Sequence, residues 1–150
     1  GAQGKHLDFY NFITRELVPK IDINYDNDHN SRSLIGHSAA GIFTFVSVFL
    51  EDPENVLFHN FIASDPGLGC DPDYFAEMLH DYDFSEGAKK FKFYLALSGE
   101  GNVTAVRQFA ESIQAKEYTW LNFKYREFLN ESHLGVVDPS FKLGLNFIFQ

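Results

Sequence analysis

The ten residues Arg32-Ser33-Leu34-Ile35-Gly36-His37-Ser38-Ala39-Ala40-Gly41 decide how the rest of the chain is read. Residues 32–35 read as a short strand and 36–41 as a tight turn of small residues. Residues 42–50 are apolar nearly all round, which predicts a deeply buried helix. Upstream, Leu7, Phe9/Tyr10, Ile13 and Leu17 recur at helical spacing, so 6–19 reads as a helix that Pro19 helps to stop. A polar loop over 22–31 separates it from the strand. Downstream, strands are predicted over 57–63, 91–97 and 120–126. Helices are predicted over 72–79, 103–116 and 139–149, the first with Asp71 as N-cap and Pro72 at its first position. Residues 81–90 form a charged connector. The order is a helix, then strand–helix four times. That alternation predicts an α/β fold, a parallel sheet flanked by helices.

Composition narrows what such a fold does. The chain has 150 residues, 45% hydrophobic and 22% charged, which suits one domain with one core. Its formal charge of −9 argues against nucleic acid and against an anionic membrane surface, since both need a basic face. The lone cysteine, Cys70, excludes an internal disulfide and a multi-cysteine zinc site. No apolar run approaches the roughly 18 residues of a membrane span. The opening residues do not read as a signal peptide, and no compartment follows from them. Phenylalanine is abundant, 17 of 150, which predicts a core built on Phe, with some rings free to line an apolar site or an interface.

The turn at 36–41 is where chemistry is expected. A nucleophile elbow sets a Ser at a strained strand-to-helix turn and needs small neighbours. Gly36 stands two before Ser38, but Ala40 stands two after it and Gly41 one further on, so the match is G-x-S-x-A-G. A plain βα turn is the bland alternative. A nucleophilic Ser needs a base. Among six histidines, His133 lies in the loop after the fourth strand, at the same carboxyl edge of a parallel sheet as Ser38. His37 adjoins Ser38, so its ring is expected to point elsewhere. The carboxylate that orients the base should lie between them in sequence. Glu100, after the third strand, is favoured over Asp65, after the second, and the site can also lack a carboxylate partner. Asp26-x-Asp28-x-Asn30 resembles the start of a calcium loop but has Ser31 and His37 where Gly and Glu belong, so a solvated loop is expected. No ligand pair has metal spacing, and neither metal nor cofactor is called for.

At these residues the chain resembles a known family. Residues 32–41 resemble the nucleophile segment of the α/β-hydrolase esterases that include enterochelin esterase and related siderophore esterases. The helix ending Arg15-Glu16-Leu17-Val18-Pro19, the stretch Phe61-Ile62-Ala63-Ser64-Asp65-Pro66-Gly67-Leu68, and Glu131-Ser132-His133 followed by 141–149 resemble further segments in the same order. The resemblance implies an acyl hydrolase acting on an ester. Ser38 would attack, His133 would serve as base and then acid, and Ala39 would supply one oxyanion N–H. Glu100 matches by place in the fold rather than by motif. The family carries a further block before the first helix seen here, with the early strands and the second oxyanion donor. The expectation is therefore the carboxyl-terminal portion, 1–150, of a single partial α/β-hydrolase domain lacking those strands. The strand at 32–35 is expected to present a bare edge, open to a second copy or to the missing segment.

Two rival readings stand beside the esterase. One is a catalytically incomplete hydrolase-like half acting as a binding or assembly module. The other is a flavodoxin-like fold binding phosphate at 36–41, against which counts the lack of Lys or Arg in that turn.

Overall fold

Four strands pair in chain order, all parallel: Ser33–His37 (β1), Asn60–Ser64 (β2), Phe91–Ser98 (β3) and Leu121–Phe128 (β4). The chain is described from a computed structural model over residues 2–52, 55–70, 72–81, 90–101 and 103–150. Helices Ala2–Phe12 (α1) and Val18–Asn24 (α2) precede β1. Ala39–Val48 (α3), Pro72–Asp81 (α4) and Val103–Ala115 (α5) connect the strands, and Val137–Ile148 (α6) follows the last one. Asp71, the expected cap of α4, and most of the expected connector at 81–90 lie outside the described residues.

Right-handed crossovers that always step the same way put every connecting helix on one face. Phe45 and Val46 of α3, Phe75 of α4 and Phe109 of α5 accordingly share one core with Phe61, Phe93 and Leu95 of the sheet. Among the described helices α6, which follows the last strand, returns over the other face. There Ile148 meets Ile62, Tyr94 and Ala96. Neighbouring residues of β2 and β3 thus point to opposite cores, and the middle of each strand is apolar, as strands covered on both faces must be. The abundant Phe is largely core. Phe45 packs edge-on against Phe75, Phe93 and Phe109 at centroid distances of 5.8, 5.9 and 6.0 Å.

Two local expectations are corrected. The first helix does not stop at Pro19. A π-helical turn, Ile13–Leu17, links α1 to α2, and Pro19 sits at the start of α2. Proline lacks an N–H and its ring crowds the carbonyl four residues back, and a widened turn relieves both. The strand and helix around Ser38 also run closer together than expected, leaving Ser38 alone between β1 and α3.

The small residues of the turn have separate reasons. A Cβ on Gly36 would overlap the Ala40 carbonyl, because α3 starts directly against β1. A Cβ on Gly41 would lie 2.9 Å from the Ser64 carbonyl oxygen of β2. Ala40 is exposed, so its methyl meets nothing comparable. The displaced glycine is therefore the buried one, and the departure from G-x-S-x-G costs no packing. Gly36→Ala should destabilise by about 3 kcal/mol or more, since backbone rather than a side chain would have to move. Urea denaturation measures this, and wild-type stability would mean that β1 and α3 are not so closely apposed.

Away from the turn, Glu51 is 2% exposed just past α3, and its Oε2 accepts the Leu57 N–H at 2.8 Å. Burial raises its pKa above the usual 4.5. The folded state then holds this proton more tightly than the unfolded one. Stability falls as pH rises from about the unfolded value through the folded one, and the penalty is complete above that window. Glu51→Gln should raise the melting temperature at pH 7, with the gain shrinking as pH falls toward 4.5 and absent below it. A pH-independent difference in thermal melts would contradict this.

Candidate active site

Ser38 is the residue between β1 and α3, with φ 58° and ψ −121°. A non-glycine residue rarely adopts this conformation, and holding it costs of order 1–3 kcal/mol. Ser38 N–H donates to the Ser64 carbonyl at 3.0 Å, and the Ser38 carbonyl accepts from Ile42 N–H at 3.0 Å. These bonds fix the turn to β2 and to the helix. Ala39 is the first residue of α3, where a backbone N–H has no intrahelical acceptor and the helix dipole favours negative charge.

His133 Nε2 lies 3.0 Å from Ser38 Oγ. Its Nδ1 lies 2.5 Å from Asp65 Oδ2. A carboxylate accepts from Nδ1–H, which leaves Nε2 as the acceptor for the serine hydroxyl. The two residues expected to meet, Ser38 and His133, are thus within hydrogen-bond reach, with the ring tautomer set by a carboxylate.

That carboxylate is Asp65, where sequence reasoning favoured Glu100. Asp65 is 5% exposed and stands one residue beyond β2, with φ 46°. Its N–H donates to the Ala96 carbonyl at 2.8 Å. Its Oδ1 accepts the Ser98 N–H at 3.0 Å, and its Oδ2 accepts the Ser98 hydroxyl at 2.6 Å. Glu100 Oε2 instead accepts the backbone N–H of His133 at 2.9 Å. The register explains the difference. His37, Ser64 and Ala96 stand level across the sheet, so Asp65 is one step past that level and Glu100 four. Asp also tolerates positive φ better than most residues. The signal was an Asp at a strand end beside the nucleophile strand, followed by Pro. Ser98, which completes the bonding of Asp65, carried no separate signal.

The His37 ring lies against His133. Its Nε2 lies 2.8 Å from the His133 carbonyl oxygen, and the two imidazoles stand 4.5 Å apart between centroids. His37, Asp65 and His133 also bring ligating atoms within 4.8 Å of one another, so a cation could compete for them. Asp65 and both rings already share hydrogen bonds there, and a cation would have to displace some of them. Among the described residues no helix is long and apolar enough to cross a membrane.

These elements define an α/β-hydrolase-type fold, a parallel sheet with a strand–Ser–helix turn at its carboxyl edge. No family model matches the chain. Among curated proteins, it is 34% identical to the ferri-bacillibactin esterase BesA of Bacillus subtilis over 68 residues, 45% of this chain and 21% of that protein. Among solved structures, an IroE-like serine hydrolase from Shewanella oneidensis superposes with a TM-score of 0.77 at 20% identity, covering 91% of this chain and 45% of that one. The BES protein from Bacillus cereus gives 0.76 at 25% identity, covering 94% and 55%. The chain is similar to the enterochelin- and siderophore-esterase-like α/β-hydrolases over part of their length. It spans about a fifth of the curated relative and about half of the solved ones.

Proposed function

We propose that the chain is the carboxyl-terminal portion of a single α/β-hydrolase domain and carries the reacting groups of a serine esterase. The observation that carries this reading is the run Ser38 Oγ, His133 imidazole, Asp65 carboxylate, joined at 3.0 and 2.5 Å. Ser38 Oγ attacks the ester carbonyl carbon as its proton passes to His133 Nε2. The charge that develops on the carbonyl oxygen faces the Ala39 N–H at the start of α3. The intermediate collapses to an acyl-enzyme, and the departing alcohol takes the proton from Nε2. Water then attacks the acyl carbon, giving a proton to Nε2, which returns it to Ser38 Oγ as the acid leaves. Asp65 holds the ring and stabilises its cationic form throughout. The substrate class is a small-molecule ester, and the likeness to a ferri-bacillibactin esterase favours a siderophore ester.

A second reading is a hydrolase-like half acting as a binding or assembly module. It is favoured by β1, which pairs only with β2 among the described residues and leaves Ile35 39% exposed. Fluorophosphonate labelling separates the two. It should be run on these 150 residues and on the longest polypeptide that contains them, with mass mapping of the adduct. A Ser38 adduct is expected. Labelling of the longer chain alone would mean that residues outside this chain complete the site. No adduct on either would overturn the esterase and leave the module.

A further inference from the structure

His133 belongs to a loop rather than to a strand or helix, and yet its ring must bridge Ser38 and Asp65. The backbone around it is tied by short-range bonds. Gly99 N–H donates to the Glu131 carbonyl at 3.0 Å, and Val136 N–H to the Ser132 carbonyl at 3.0 Å. A Cβ on Gly99 would overlap the Leu129 carbonyl, so the turn after β3 lies directly against this loop. None of these bonds holds residue 133 itself. Two side chains do. Glu100 Oε2 accepts its N–H at 2.9 Å, and His37 Nε2 lies 2.8 Å from its carbonyl oxygen. A carbonyl only accepts, so His37 donates through Nε2–H.

We propose that His37 and Glu100 are positioning residues that clamp the main chain of His133 from both sides. The proposal rests on the esterase reading of the site. The clamp ties the base to the two elements that must keep register with it. His37 adjoins the nucleophile at the end of β1, and Glu100 lies in the turn after β3, next to Ser98, which binds Asp65. A shift of the His133 backbone would misplace Nε2 and Nδ1 together. Misplacement by about 1 Å costs of order 100-fold in rate. The same logic gives Glu100, at the expected edge of the sheet but not on the ring, a task it can perform from there.

The test uses His37→Ala, His37→Gln and Glu100→Ala, in whichever of the chain and the longer polypeptide labels, or in the longer polypeptide if neither does. His37→Ala and Glu100→Ala should each slow fluorophosphonate labelling and lower kcat by about 10- to 100-fold, with little change in KM. His37→Gln should recover most of the loss, because its amide N–H can still donate to the His133 carbonyl. A purely packing role for the ring predicts no such rescue. Amide hydrogen exchange supplies a readout independent of catalysis. The Gly99 and Val136 amides should exchange at least 10-fold faster in the two alanine variants, and those of central β3 should not change. If the wild type takes no label but exchange responds as stated, the esterase reading fails and the clamp stands. If His37→Ala labels at the wild-type rate, or Gln fails to rescue, or exchange is unmoved, the clamp is overturned.

Discussion

Ser38→Ala should lower kcat on an activated aryl ester by about 10⁴- to 10⁶-fold and abolish the fluorophosphonate adduct. The size follows from what is removed. On the proposed mechanism His133 and Asp65 act only through Ser38, so what would remain is the oxyanion N–H and binding alone, about 10³- to 10⁴-fold over water. The same position gives a second, independent result. Ser38 sits at φ 58° and ψ −121°, a conformation that glycine adopts without strain. Ser38→Gly should therefore be inactive but more stable, by about 1 kcal/mol, or roughly 2–4 °C in Tm for a chain of this size. Steady-state kinetics and thermal melts read the two effects separately. Ser38→Ala with activity within tenfold of wild type would remove Ser38 as the nucleophile.

Asp65→Asn should lower kcat by about 10³- to 10⁴-fold, and Glu100→Gln by no more than about tenfold. Asn at 65 can donate as well as accept, so it can stabilise the wrong tautomer of His133, with the proton on Nε2 where Ser38 needs an acceptor. That loss is about 4–5 kcal/mol of transition-state stabilisation. Gln at 100 keeps an acceptor oxygen for the His133 N–H, so it preserves the contact that Glu100 makes. The contrast between the two amide variants, measured as kcat/KM on one ester, separates a carboxylate on the ring from one on the backbone. Equal losses would mean that the ring is not governed by Asp65. Asp65→Asn should also perturb folding, because Asp65 accepts from Ser98 N–H and Ser98 Oγ in a buried setting. Thermal melts of the variant therefore accompany the kinetics.

Much of this arrangement was legible along the chain. Alternating helices and strands fixed a parallel α/β sheet, because an apolar strand followed by an amphipathic helix has few other ways to bury both. The small residues around Ser38 marked the turn, and the parallel order put His133 at the same edge. Element ends were less legible. Pro19 read as a stop because the π turn that accommodates it depends on how α1 and α2 pack, not on local preference. Only the tertiary structure chose between Asp65 and Glu100. Both are carboxylates after a strand, and sequence distance to His133 does not distinguish them. The choice came from strand register, which leaves Glu100 four residues past the level of Ser64 and Asp65 one. It came too from the positive φ at Asp65, which turns its carboxylate toward Ser98 and His133. Periodicity and spacing are properties of neighbours in the chain, and they determined the fold class and that Ser38 and His133 share one edge of the sheet. Which charged group faces which ring depends on contacts between strands tens of residues apart, and only the folded chain decides that.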